Sequence, residues 1–177
     1  SSGAVDATAS GIAASAGISV GASIARAQLR PGVDSYVSGG VIRAGDDLSI
    51  QALSNANTDG TLVNLSAHAQ GNPSGGGLVG INGADVDAVA SATVSALVNP
   101  GVTLRSTNGE VLVAARAKNM AIAESTAITA GLVGVGTVFI DANADGQTQA
   151  RLDGSVLSGQ TLSVITQSSH VANADAS

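Results

Sequence analysis

The chain has 177 residues and a net charge of −6, with 44% hydrophobic residues but only 11% charged and 1% aromatic, namely Tyr36 and Phe139. No basic run and no cysteine are present, which makes nucleic acid and anionic membrane poor partners and leaves no disulfide, thiolate metal site or thiol nucleophile. The longest apolar stretch, 127–140, is too short and glycine-rich to span a bilayer as a helix, two rings cannot supply the girdles of an outer-membrane barrel, and the apolar content is too high for charge-driven disorder.

The chain opens in an Ala-x-Ala run, Ala4-Val-Asp-Ala-Thr-Ala9. Residues 10–29 are alanine-rich, so a helix competes with a strand there, although the alternation beyond them favours a strand. Ala25, Ala27, Leu29, Pro31, Val33, Ser35 and Val37 fall on one face of that stretch. Next comes a short unit, 40–54, with a Gly-Val start, a turn at Gly45 and an alternating run through Leu48 and Ile50. The glycine-rich stretch 71–77 predicts a loop.

Each of these features then recurs. Val86, Ala88, Ala90, Ala92, Val94, Ala96 and Val98 alternate with Asp87, Val89, Ser91, Thr93, Ser95 and Leu97, and a second short unit spans 101–117 with its turn at Asn108-Gly109 and its run through Val111 and Val113. The third copy alternates from Ile140 to Leu152, followed by a unit at 155–168 with a turn at Gly159 and a run through Leu162 and Val164. Ala16-Gly17-Ile18, Gly76-Gly77-Leu78 and Ala130-Gly131-Leu132 read as one position three times. Val41, Val102 and Val156 are expected to be equivalent, and the uneven spacing is assigned to an insertion at 71–77. From Gly131 to Ile140 both faces are apolar, which predicts burial on both sides, with an exposed patch for a partner as the alternative and a lateral self-association face if Phe139 lies exposed beside Val89 and Leu97. The chain ends in a further Ala-x-Ala run, 171–176.

A period of two sustained over some 13 residues is a strand pattern. A straight strand of that length would be about 45 Å long, against a usual five or six residues. The expected fold is therefore all-β: a β-solenoid of about three irregular units (4–58, 59–119 and 120–177), with an antiparallel meander of long strands as the alternative. The uncapped ends and the opening Ser1 fit a single-domain window, 1–177, on a longer array.

The pattern Gly-Val-x-x-x-Gly-x-x-Leu-x-Val, followed by Ala/Ser alternation and then Ala130-Gly-Leu-Val-Gly-Val-Gly136, resembles the repeats of large secreted adhesins of Gram-negative bacteria, of the filamentous-haemagglutinin-like and leukotoxin-like kinds. The resemblance covers nearly the whole chain and rests on composition, glycine placement and period. It implies a right-handed parallel β-helix and a non-catalytic stalk or adhesive segment, exported by an autotransporter or two-partner route to the cell surface or beyond. It implies as partners a host or cell-surface receptor or glycan and neighbouring repeats of the same chain, with no membrane insertion of this segment. It carries over no functional residue and no cofactor.

The sharpest local motif is Asp141-Ala-Asn-Ala-Asp-Gly146, whose Asp141, Asn143 and Asp145 have the spacing that opens an EF-hand calcium loop. The twelfth position, where such a loop needs glutamate, is Leu152, and the same spacing is what the polar face of a strand produces. His68 and His170 have no second ligand nearby in sequence, and Asp46-Asp47 and Asp85/Asp87 lack an apolar pocket around them. No Ser/His/Asp set and no phosphate-binding glycine loop is present, so a catalytic role is not expected; the alternatives to an adhesin segment are a carbohydrate-acting enzyme on a β-helix scaffold and an ice-binding or self-assembling fibre segment.

Overall fold

The computed structural model describes residues 1–157 and 160–177. The described residues are all-β and contain no helix. The strands are β1 (Val5–Ala14), β2 (Ile18–Leu29), β3 (Gly32–Val37), β4 (Gly40–Ala44), β5 (Leu48–Ser54), β6 (Ala67–Val98), β7 (Val102–Ser106), β8 (Val111–Ser125), β9 (Ile128–Leu152), β10 (Ser155–Leu157) and β11 (Leu162–Ala176). Residues 10–14 and 18–29 are strand, because the in/out alternation buries their small face, which a helix would spread around its axis.

Every ladder between named strands is parallel, which rules against the antiparallel meander. The long β6 lies at the centre. It pairs with β1, β2 and β3 along one edge and with β8 and β9 along the other. β8 pairs with β5 and β11, and β4, β7 and β10 form a separate three-stranded sheet. The chain therefore makes three successive passes that lie side by side in register. Val5, Ala67, Ala121 and Ala172 hold one equivalent position after another.

The alternating faces pair as their pattern predicts. Ala25, Val86 and Ile140 form one row, and Val37, Val98 and Leu152 another. Leu48 and Ile50 match Val111 and Val113, which match Leu162 and Val164. Two expectations on register are corrected. The residues 71–77 are not an insertion, because they sit within β6 and pair on both sides. The extra length lies at 55–66, since Ser54 matches Ala117 while Ala67 matches Ala121. Nor are the three valines equivalent: Val41 pairs with Thr103, Val102 with Gly40, and Val156 with Leu104. A slip of one residue reverses the face, so Val41 is more than half exposed while Val102 is buried. The inward row is Ile42, Leu104 and Val156. The expected turn glycine Gly159 lies outside the described residues.

The core has two parts. One is built from Val94, Val98, Val102, Leu104, Val111 and Val113, with Ile50 and small residues. The other is almost entirely alanine, including Ala67, Ala69, Ala88, Ala90, Ala121 and Ala123. Burying a valine or leucine contributes about 1.5–3 kcal/mol, and an alanine methyl far less, so the first cluster supplies most of the hydrophobic stabilisation. The alanine part continues into a narrow end where β1 packs on β2 and residues 71–75 of β6 face residues 82–86 of the same strand. There a Cβ on Gly11 would overlap the Ala22 carbonyl and one on Gly75 would overlap the Asn82 side chain. The two walls are thus close, and the inward positions there are held by Gly, Ala, Ser, Pro73 and Asn82.

The longer first pass is closed by an asparagine. Asn55 is buried in the left-handed region at φ 48°. Its Oδ1 accepts from the Gly3 N–H at 2.9 Å, and its Nδ2 donates to the carbonyls of Lys118 at 3.3 Å and Leu65 at 3.5 Å. Replacing it by Ala removes three hydrogen bonds and strains the backbone, with an expected loss of about 3 kcal/mol in urea unfolding. Asn55→Gly relieves the strain alone and is expected to recover about 1 kcal/mol of that loss; equal losses for the two variants would refute the role of φ.

Candidate functional site

Function on such a scaffold depends on what the outward positions bring together. Asp141, Asn143 and Asp145 are exposed at alternate positions of β9, in register with Asp87, Val89 and Ser91 of β6. Alternate side chains on one strand stand about 6.6 Å apart and project in parallel, whereas a calcium loop makes its ligands converge. No group of three or more His, Asp or Glu side chains placed to hold a metal ion is found among the described residues. Asp141→Ala is accordingly expected to change stability by less than about 0.5 kcal/mol. Calorimetric titration with calcium is expected to show no saturable heat that this variant abolishes.

The structure gives partners to the groups that sequence left isolated. His68 Nδ1 lies 2.8 Å from Asp6 Oδ1 on the preceding pass, and its Nε2 lies 3.4 Å from Glu124 Oε2 on the next one. His170 Nδ1 is 3.3 Å from the buried Asn119 side chain, whose Oδ1 accepts from the Ala92 N–H. Asp85 pairs with Arg26 at 3.0 Å. Asp47 accepts from the Glu110 N–H at 3.0 Å, and the Ser106 hydroxyl donates to the Asp46 carbonyl, so the acidic turn clasps the turn of the next pass. Exposed pairs of this kind contribute about 1 kcal/mol or less each, and they tie passes together rather than poise a reaction.

Arg116 was not singled out by its sequence context. It occupies an outward phase of β8 yet is only 7% exposed, because the 55–66 segment folds over it. Its Nη1 donates to Gln51 Oε1 and to the Thr58 carbonyl. In the same segment the Thr61 hydroxyl and N–H both donate to Asp59, which holds that carboxyl below its usual range. Asn119 was legible in principle, since it is the one amide on the inward phase of an alanine run.

Two surface depressions are open and polar. One of about 270 Å³ is lined by Glu124, Ser125, Thr126, Asp175 and Ser177, and another of about 310 Å³ by Arg30, Val89, Ser91, Asn143 and Asp145. Neither has the apolar, enclosing walls of a small-molecule site.

The apolar stretch 131–140 is not buried on both sides as its composition predicts. Leu132 is 86% exposed and Phe139 68%. The narrow interior leaves no room for large side chains, so they turn outward and stack in rows: Ile18, Val79 and Val133; Val20, Ile81 and Val135. Phe139 stands beside Asp85 and Ile24, with Val89 and Leu97 further along β6. This outward aliphatic face and the carboxylates of Asp141 and Asp145 on β9 are exposed to solvent. Comparison with protein-family models, with curated proteins and with solved structures finds no match for the chain.

Proposed function

We propose that this chain is a non-catalytic structural and adhesive segment of a secreted or surface-attached bacterial adhesin, folded as a right-handed parallel β-helix. Its work is to hold a stiff rod, and its outward rows meet a receptor or glycan on a cell surface. Neighbouring repeats of the same chain are its lateral continuation. The observation that carries the reading is the parallel register of three passes with aliphatic side chains inward, both along the long strands (Ala25–Val86–Ile140) and, after a shift at the intervening turn, in the short sheet (Ile42–Leu104–Val156). Such a stack spends its side chains on rows between passes, and Asp6, Asp47, His68 and Asp85 are engaged in contacts between passes. The poverty in aromatic rings also counts against a carbohydrate-processing cleft, which stacks sugars on such rings.

The test is to append further copies of the 67–120 unit and image the particles. Each added pass is expected to lengthen the particle by about 4.8 Å at constant cross-section. Growth in all directions would refute the rod, and turnover of a polysaccharide by the purified chain would refute the non-catalytic assignment.

A further inference from the structure

We propose that the outer face of the wall formed by β3, the second half of β6 and the second half of β9 is a binding trough for an uncharged, linear glycan. Such a site gives the adhesive role a ligand and rests on the stacked architecture of that reading. The depression lined by Arg30, Val89, Ser91, Asn143 and Asp145 adjoins another of about 400 Å³, lined by Ser91, Thr93, Asp145, Gly146 and Gln147. The two share Ser91 and Asp145, so they form one continuous hollow on the side of the stack. Its shape follows from side-chain length. The middle pass supplies a low floor of Ser91, Thr93 and Ser95, and Gly32 leaves a gap in register with Thr93. Arg30 of the first pass stands on one side of that floor, and Asn143, Asp145, Gln147 and Gln149 of the third pass stand on the other. Adjacent passes lie about 4.8 Å apart, so the two flanking rows are separated by about 10 Å. From Val89 to Leu97 the floor runs about 26 Å, long enough for several sugar units in a line.

The chemistry of the lining selects the ligand. Elsewhere on the surface, outward polar side chains are spent on one another: His68 on Asp6 and Glu124, Arg26 on Asp85, and Lys118 on Asn64. In the hollow they are free. Among the described residues, the side chains of Arg30, Asn143, Asp145, Gln147 and Gln149 have no hydrogen bond or ion pair with any other group. An amide both donates and accepts, as does each hydroxyl of a sugar, so a row of amides matches a row of hydroxyls. Arg30 and Asp145 carry opposite charges around Ser91, which leaves the hollow neutral as a whole. The net charge of −6 also repels a polyanion. No apolar socket interrupts the serine and threonine floor, so an extended peptide finds hydrogen bonds there but no seats for its side chains. At the far end Tyr36 is 69% exposed, in register with Leu97 and Arg151. Its ring gives one sugar a face to stack on. One ring and several amides on an open floor suit holding a chain rather than cleaving it.

Heteronuclear NMR reads these amides directly. Titration with cellohexaose, maltohexaose, mannohexaose and galactohexaose is expected to move the side-chain amide signals of Asn143, Gln147 and Gln149 with at least one of the four. Saturation is expected at a Kd on the order of 1 mM, as for an open, hydrated surface. Hexagalacturonate, the acidic control, is expected to bind about tenfold more weakly or not at all. Asn143→Ala with Gln147→Ala is expected to weaken binding by about tenfold, and Ser91→Leu, which fills the floor, by more. Circular dichroism checks that both variants stay folded. Val135→Thr with Phe139→Ser, on the aliphatic face, is expected to leave binding unchanged. Absence of any shift with all four neutral sugars overturns the proposal, as does equal or tighter binding of the acidic control. So does binding that survives the double alanine substitution and is lost in the aliphatic-face variant. Imaging of the chains with appended passes separates the two levels: particles that lengthen but bind no neutral sugar refute the trough alone, and particles that do not lengthen refute the architecture.

Discussion

Gly146→Val is expected to destabilise the chain by about 3 kcal/mol or more, measured as a fall in the urea midpoint at unchanged slope. Gly146 has φ 144°, in the range that residues with a side chain rarely adopt. A Cβ there would overlap the Ala92 carbonyl and come within 2.7 Å of Asn119 Nδ2. Both neighbours belong to the buried middle of the stack, and Asn119 also accepts the Ala92 N–H at 3.1 Å. The substitution therefore strains its own backbone, pushes β9 off β6 and breaks a buried hydrogen bond. Gly146 is the last residue of the run that reads as a calcium loop, so the same experiment separates two explanations for it. A glycine needed for a metal loop predicts a defect that appears only with calcium present, whereas a glycine needed for close packing predicts the full defect in chelator.

Leu104→Ala is expected to cost about 3 kcal/mol, within the 2–5 kcal/mol range for truncating a buried leucine. Leu104 is fully buried and is among the largest side chains in the sealed core. Its neighbours in register, Ile42 and Val156, are held by short strands of five and three residues that have little freedom to close a cavity. Val41→Ala is the matched control one position away. Because Val41 points outward and is 56% exposed, its truncation is expected to cost well under 1 kcal/mol. Similar losses for the two substitutions would show that the short sheet is shifted by one residue from the register described.

Alternation made the long strands legible. The rows Ala25–Val86–Ile140 and Val37–Val98–Leu152 can be aligned from sequence because small inward residues recur at every second position without a gap. The short sheet was less legible because a Gly-Val start looks equivalent in each copy, although Gly40 and not Val41 is the partner of Val102. The extra length was misplaced for a related reason. Glycines at 71–77 suggest a loop, but these glycines serve a narrow gap between walls, whereas the real excursion at 55–66 hides a single asparagine in the left-handed region. The outward aliphatic face was misread because composition reports that residues are apolar and not whether the interior has space for them. Cross-pass pairs such as Asp6–His68 and Asp47–Glu110 join residues about sixty positions apart, and no local spacing encodes them.

The pairing offsets also govern how the chain must fold. Each ladder joins residues at least 51 positions apart, as between Leu162 and Val111. Closing a flexible segment of that length costs roughly 3–4 kcal/mol of entropy before the first ladder bond forms. The opening encounter between two passes is therefore the slow step, and folding should be measured in seconds rather than milliseconds. Once two passes have met, each exposed edge is a ready template, so later passes zip on locally and quickly. A chain delivered gradually from one terminus would cross that barrier only once, however many passes came after.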